Sequence, residues 1–238
     1  MKKIITSILL LGSFSVWSQC SDTNLGAWSE NVTNGGEVTV SANSAMGGTD
    51  CGLEVVYLEG AGKGYVGDTN AANEQRIRGA VCLDPNSIVL PLDGVGGKIK
   101  FLNGQCTNGT CANNGIMQWK LQSDGVSAYE INGYVRDSNS GGTKKKFTVA
   151  LSDAPHRLEY DMDITTGTFK MWVDATSEAD PRVVEFSGLD MAAWNGGVSR
   201  SRIGSLNNPI NVTPGVDKVI YLDEAEWRRQ TFIGGSCN

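Results

Sequence analysis

Two stacked antiparallel β-sheets are the fold class this sequence predicts, and three observations predict it. Apolar and polar residues alternate in one short segment after another, the mark of strands covered on one face. Gly, Asn and Asp punctuate these segments where turns need them, and glycine alone supplies 30 of the 238 residues. Long runs of the residues that favour helices are missing, and only 19% of residues are charged.

The elements follow in order. Lys2 and Lys3 precede an apolar run from Ile4 to Val16, and small side chains follow at Ser18. That order predicts a secretory signal over residues 1–18, cleaved after Ser18, and a single domain over 19–238. Lipidation at Cys20 is the rival reading, disfavoured by the bulky Trp17 and polar Gln19 before it. No later segment is long and apolar enough for a membrane-spanning helix. Asn24 to Ala45 reads as an edge strand and loop. Leu53, Val55 and Tyr57 line one face of a strand that ends at the Gly-rich stretch 60–64, and Ile77 and Val81 mark the next strand. Further strands follow at 99–102, at Met117, Trp119 and Leu121, at 128–135, and at Phe147, Val149 and Leu151. The clearest hairpin comes next. Leu158, Tyr160, Met162 and Ile164 share a face, Thr165 to Thr168 turn the chain, and Phe169, Met171 and Val173 return. Arg157, Glu159, Asp161 and Asp163 are assigned to a polar outer face. A short helix is expected near 189–194, and a closing strand at 219–227.

Six cysteines in an exported chain should all pair. Cys106 and Cys111 flank a turn and should close a small loop. Cys20 and Cys237 would tie the two ends together, leaving Cys51 with Cys82. The last pairing sets Leu53 opposite Ala80 and Val55 opposite Arg78 as a hairpin, with residues 60–74 as its ligand-facing loop. A zinc site is not expected, because no Cys-x-x-Cys occurs and the single histidine, His156, has no cysteine beside it. The formal net charge of −6 argues against nucleic acid as a partner. The run Lys144 to Lys146 reads as a solvated loop entering a strand.

Three stretches carry a family likeness. Gly52 to Val55, Gly64 to Asp68 and Glu74 to Arg78 together resemble bacterial secreted proteins with a concanavalin A-like, laminin-G-like jelly roll. His156 to Glu159 with Gly167 to Asp174 resembles the hairpin of laminin-G-like domains, and Tyr221 to Ala225 resembles their closing strand. The resemblance covers most of residues 26–230 and implies an all-β, two-sheet antiparallel jelly-roll sandwich. It implies no single activity, since this scaffold hosts lectins, glycosidases, lyases and inert spacers.

The Glu-x-Asp-x-x-Glu pattern of glycosidases on this scaffold is absent. Asp161 with Asp163, and Glu224 with Glu226, read as polar outer faces, and His156 as a strand-opening residue. Trp172 lies out of phase with the apolar face of its strand, so Trp172 with Lys170 and Asp174 forms the candidate sugar platform; core burial of Trp172 is the competing reading. Trp28 and Trp194 are weaker candidates. Asp223 shares a face with apolar neighbours and needs a cation, so an ion pair to Arg76 or Arg78 is expected. A calcium site including Asp68 or Asp223 is the alternative, and no other cofactor is expected. The function expected is a secreted, non-catalytic carbohydrate-binding or adhesion module with a glycan partner. The alternatives are a structural surface protein, and a polysaccharide lyase or glycoside hydrolase of the same fold.

Overall fold

In a computed structural model, the described residues are 20, 25–26, 28–33, 37–57, 62–90, 97–107, 111, 115–123, 129–139, 143–207, 218–228 and 230–238. The predicted signal segment lies outside them. Among the described residues, no helix is long and apolar enough to cross a membrane.

The described residues form fourteen strands: β1 (Glu30–Thr33), β2 (Glu37–Ser41), β3 (Gly52–Tyr57), β4 (Gly64–Glu74), β5 (Arg76–Asp84), β6 (Lys98–Gln105), β7 (Gly115–Ser123), β8 (Tyr129–Arg136), β9 (Lys144–Leu151), β10 (His156–Asp163), β11 (Thr168–Val173), β12 (Val184–Phe186), β13 (Val198–Ser205) and β14 (Lys218–Arg228). They make two seven-stranded sheets, the first in the order β1-β4-β13-β6-β7-β8-β9 and the second β12-β11-β10-β5-β14-β3-β2. Every pairing is antiparallel. The two sheets stack as a jelly-roll sandwich, as the alternation predicts.

The alternating apolar residues meet between the sheets. Trp119 of the first sheet packs edge-on against Tyr160 of the second with ring centroids 5.5 Å apart, and against Phe101 and Phe147 of its own sheet. Leu158, Tyr160, Met162, Phe169 and Met171 are fully buried, while Val173 is only partly so. Tyr160 fits because its partner in register is Gly79, whose absent Cβ would stand 2.4 Å from the ring. Gly79→Ala should therefore cost about 1–3 kcal/mol through overpacking. Urea denaturation would measure it, and an unchanged midpoint would contradict this contact.

Three expectations are corrected by the topology. Residues 64–74 are not a loop but the strand β4, in the first sheet. Strands β3 and β5 do not form a hairpin, because β14 lies between them and pairs with both. The segment 24–45 supplies two edge strands, β1 and β2, one for each sheet.

The disulfides change with this topology. Cys106–Cys111 forms as expected, but the other two are Cys20–Cys51 and Cys82–Cys237 rather than Cys20–Cys237 and Cys51–Cys82. The reason is the path of the C-terminal segment after β14. It turns back over the outer face of the second sheet, delivers Cys237 to Cys82 on β5, and leaves Cys51 to the N-terminal cysteine.

That returning segment also covers the face assigned to solvent. Arg157, Glu159 and Asp161 are all buried. The Glu159 carboxylate accepts from the backbone N–H of Ile233 and Gly234 at 2.7 and 2.8 Å, and Arg157 Nε donates to the Gly234 carbonyl at 3.1 Å. The helix expected near 189–194 is reduced to a single 3-10 turn, Ala192–Trp194.

Candidate functional site

The expected sugar platform is closed. Trp172 is fully buried, its ring meets Phe232 edge-on at 5.5 Å, and its indole N–H donates to the Asp180 carbonyl at 3.2 Å. The out-of-phase position reflects a second covered face. Lys170 stands in register between Asp161 and Glu185. Asp174 accepts from His156 Nδ1 at 2.7 Å and from the Arg157 backbone N–H at 2.8 Å, and the other ring nitrogen of His156 meets Ser152 Oγ at 2.9 Å. Trp172, Lys170 and Asp174 thus do not share an open surface. Trp194 is buried as well, and Trp28 packs edge-on against Trp227.

The expected ion pair to Asp223 is also replaced. Arg76 and Arg78 both reach Asp161, at 2.8 and 3.0 Å, and Arg78 also pairs with Glu178. Asp161 is the residue directly opposite Arg78 in the β5–β10 register, whereas Asp223 faces Cys82. Asp223 accepts instead from the backbone N–H of Met46 and Glu224, both at 2.7 Å, and from the Thr49 hydroxyl. Donors from the local chain thus satisfy this carboxylate. Asp68, on the other sheet, accepts from the N–H and hydroxyl of Ser29. The two acids proposed for calcium therefore have separate partners. Among the described residues, no group of three or more His, Cys, Asp or Glu could hold a metal ion.

A different surface gathers chemistry: the outer face of the first sheet. Its strands bury one phase and present the other. In β8, Tyr129, Ile131, Gly133 and Val135 are buried, while Glu130, Asn132, Tyr134 and Arg136 are partly exposed. The same split in β7 turns Gln118, Lys120 and Gln122 outward. Register aligns these positions into rows across the sheet. One row runs Glu30, Gly67, Arg202, Asn103, Gln118, Tyr134 and Lys146. A second passes through Lys100, Lys120, Asn132 and Thr148, and a third through Lys98, Gln122, Glu130 and Ala150. Arg200 opposite Gln105, and Arg136 opposite Lys144, lie on the far side of the first row.

These rows hold eight cations, Lys98, Lys100, Lys120, Arg136, Lys144, Lys146, Arg200 and Arg202, against two carboxylates, Glu30 and Glu130. Both carboxylates are engaged. Glu30 accepts from the Tyr65 hydroxyl at 3.0 Å and lies 3.3 Å from Arg200, and Glu130 accepts from Gln122. Arg202 is laid flat over Gly67, its guanidinium 4.7 Å from the Tyr65 ring centroid and its Nε donating to Asn103 at 3.2 Å. Lys144 and Arg136 sit 4.5 and 5.4 Å from the Tyr134 ring centroid.

Crowding is visible in the acidities. Lys100 is pulled down to about 8, first by partial burial and then by Lys120, Lys63 and Arg202. Lys120 is lowered by burial and by Lys98 and Lys144, and Lys144 by burial and by Arg136 and Lys146. Arg202 is lowered by burial and by Arg200. Burial raises the Tyr134 phenol, and Arg136 opposes that rise. A face that repels its own protons in this way is stabilised by an incoming anion.

Sequence reasoning missed this face because the acidic total hid it. The signal lay in the outward phase of five strands: Lys98-x-Lys100, Gln118-x-Lys120-x-Gln122, Asn132-x-Tyr134-x-Arg136, Lys144-x-Lys146 and Arg200-x-Arg202. The basic run at 144–146 is part of it, as strand β9 rather than a loop.

No protein-family model matches the sequence, and no curated protein matches it. Solved structures do match its fold. The chain is similar to the catalytic domain of a glycoside hydrolase family 131 protein from Coprinopsis cinerea, at 13% identity and TM-score 0.53, over 94% of this chain and 95% of that one. It is similar to a family 131 β-glucanase catalytic domain from Podospora anserina, at 15% identity and TM-score 0.51, over 91% and 94%. It is also similar to an alginate lyase from Chlorella virus, at 12% identity and TM-score 0.51, over 88% and 98%. Identities this low show the shared concanavalin A-like jelly roll alone. They nonetheless correct the expectation of a non-catalytic binding module. These structural neighbours are enzymes, two of them solved as catalytic domains, and the aromatic platform on which a binding module rested is buried.

Proposed function

We propose that the chain is a secreted enzyme that cleaves an anionic, uronate-bearing polysaccharide by β-elimination on the outer face of the first sheet. The single observation that carries this reading is the set of eight cations on that face, in a protein whose formal net charge is −6. An extended polymer fits strands whose outward side chains repeat in rows, and its carboxylates match amines and guanidinia. Export is supported by the signal-like N-terminus and by three disulfides.

Elimination suits the residues better than hydrolysis. A glycosidase needs two carboxyl groups about 5–9.5 Å apart across the sugar bond. Glu30 and Glu130 stand five strands apart, about 24 Å at the usual inter-strand spacing. Elimination asks instead for a neutralised uronate carboxylate, a proton acceptor, and a donor to the leaving oxygen. Arg202, Asn103, Gln118 and Lys120 supply cations and amides in neighbouring rows, and Tyr134 supplies a phenol able to donate.

The test is a panel of uronate-bearing and neutral polysaccharides, followed by ultraviolet absorbance of unsaturated ends and by reducing ends. Absorbance should rise with a uronate polymer, and the rate should fall as salt screens the face. Reducing ends without absorbance, from a neutral glucan, would replace elimination by hydrolysis.

A further inference from the structure

Resting on that reading, we infer that the polymer lies across the strands, along the row Arg202, Asn103, Gln118 and Tyr134, and is gripped by its carboxylates at two fixed stations. One station is Arg202. The other is the pair Lys144 and Arg136 beside Tyr134. These cations differ from the rest of the face in being seated. Arg202 rests on the Tyr65 ring at 4.7 Å, its Nε donates to Asn103 at 3.2 Å, and a Cβ at Gly67 would stand 2.7 Å from its Cγ. A guanidinium has more donors than Asn103 and the Tyr65 hydroxyl can use, which leaves donors for a carboxylate.

At the other station, Lys144 Nζ sits 4.5 Å and the Arg136 guanidinium 5.4 Å from the Tyr134 ring centroid. Arg136 is also 5.6 Å from the Trp194 ring, and it donates through Nε to the Gly115 carbonyl at 2.8 Å and through Nη1 to Thr143 at 3.3 Å. Among the described residues, Lys98, Lys100 and Lys120 have neither a ring nor an ion-pair partner. A seated cation loses little side-chain freedom on binding, whereas a free lysine must first be ordered. Beyond Arg202 the row is closed to anions, because Glu30 ends it and holds Arg200 at 3.3 Å.

The register sets the distance between the stations. Arg202 on β13 stands opposite Asn103 on β6, Asn103 opposite Gln118 on β7, and Gln118 opposite Tyr134 on β8. Three strand steps make about 14 Å. A pyranose unit carries an extended polymer forward by about one such step, so units i and i+3 meet the two stations and a tetramer is the shortest chain to span them. The units between lie over the uncharged Asn103 and Gln118. Lys146, next in the row after Tyr134, is exposed to water and adds less.

Oligouronates of graded length test this by titration at low salt, prepared from each uronate polymer of the panel, polygalacturonate and polymannuronate among them. In the series that wild type binds, affinity should rise about 10- to 100-fold from trimer to tetramer, the worth of one charge-assisted contact, and little beyond. Arg202→Gln should abolish that step and hardly alter binding of the shorter oligomers. Lys144→Gln should shrink the step from the other end. Lys98→Gln removes an equal charge outside the row, so it should lower affinity alike at every length and keep the step. Melting curves superimposed on wild type would show that the variants fold. If wild type cleaves no uronate polymer, the proposed function itself falls. If it cleaves one but affinity climbs evenly with length, or Arg202→Gln and Lys98→Gln act alike, the face attracts polymer by charge alone; the stations then fall and the elimination reading stands. A step at any other length would overturn the spacing drawn from the register.

Discussion

Asp161→Ala should lower the unfolding free energy by about 3–5 kcal/mol, measured by urea denaturation. Asp161 is buried on β10 and receives Arg76 through Nε at 3.0 Å and Nη2 at 2.8 Å, and Arg78 through Nη2 at 3.0 Å. Arg76 can retreat to solvent, but Arg78 is 1% exposed and cannot. Among the described residues its Nε and Nη1 already have no hydrogen-bond partner, and its guanidinium is held 5.9 Å from the Trp172 ring and 6.0 Å from Phe232. Without Asp161, among the described residues the half-exposed Glu178 would be left to oppose a buried cation. The cost is that of an uncompensated charge rather than of one lost ion pair. The segment lying over this face, which places Phe232 on Trp172, should then become sensitive to proteases. Arg78 also holds the Glu178 carboxyl below its usual range. A depressed carboxylate contributes stability above its unfolded acidity, so this part is lost as pH falls through the carboxylate range. A destabilisation under 1 kcal/mol would show that the cluster is not sealed from water as described.

The second large effect concerns the cation-lined face. The pair Lys120→Glu and Arg202→Glu should weaken binding of a uronate polymer about 100-fold or more at low salt, measured by titration. Each charge-assisted hydrogen bond is worth about 1.5–3 kcal/mol, and about 1.4 kcal/mol is a factor of ten. Both residues point outward on central strands of the sheet, where reversal leaves the core untouched. Wild-type affinity should fall steadily with rising salt, and the variant should lose most of that dependence. Equal affinity of variant and wild type would move the polymer site off this face.

Much of the architecture is legible in the residues. The β10–β11 hairpin and its register follow from alternation on both sides of Thr165 to Thr168, because the two strands are joined by a short turn and leave no choice of partner. Cys106–Cys111 is legible for the same local reason. Period two also places Trp119, Tyr160 and Met171 in the core, since an apolar row on one face of a strand must be covered. What lies beside a strand, and what lies over its second face, is not written in its own period. Strand β14 enters between β3 and β5 from more than a hundred residues away and parts Cys51 from Cys82, and the segment after it carries Cys237 to Cys82. The returning C-terminal segment turns the polar face of β10 into a buried ion cluster and hides Trp172. The candidate site is the same kind of fact. Lys100, Lys120, Tyr134, Lys144 and Arg202 are ordinary outward residues of five strands, and they become one anion-binding surface only because the sheet order brings those strands side by side, about 5 Å apart.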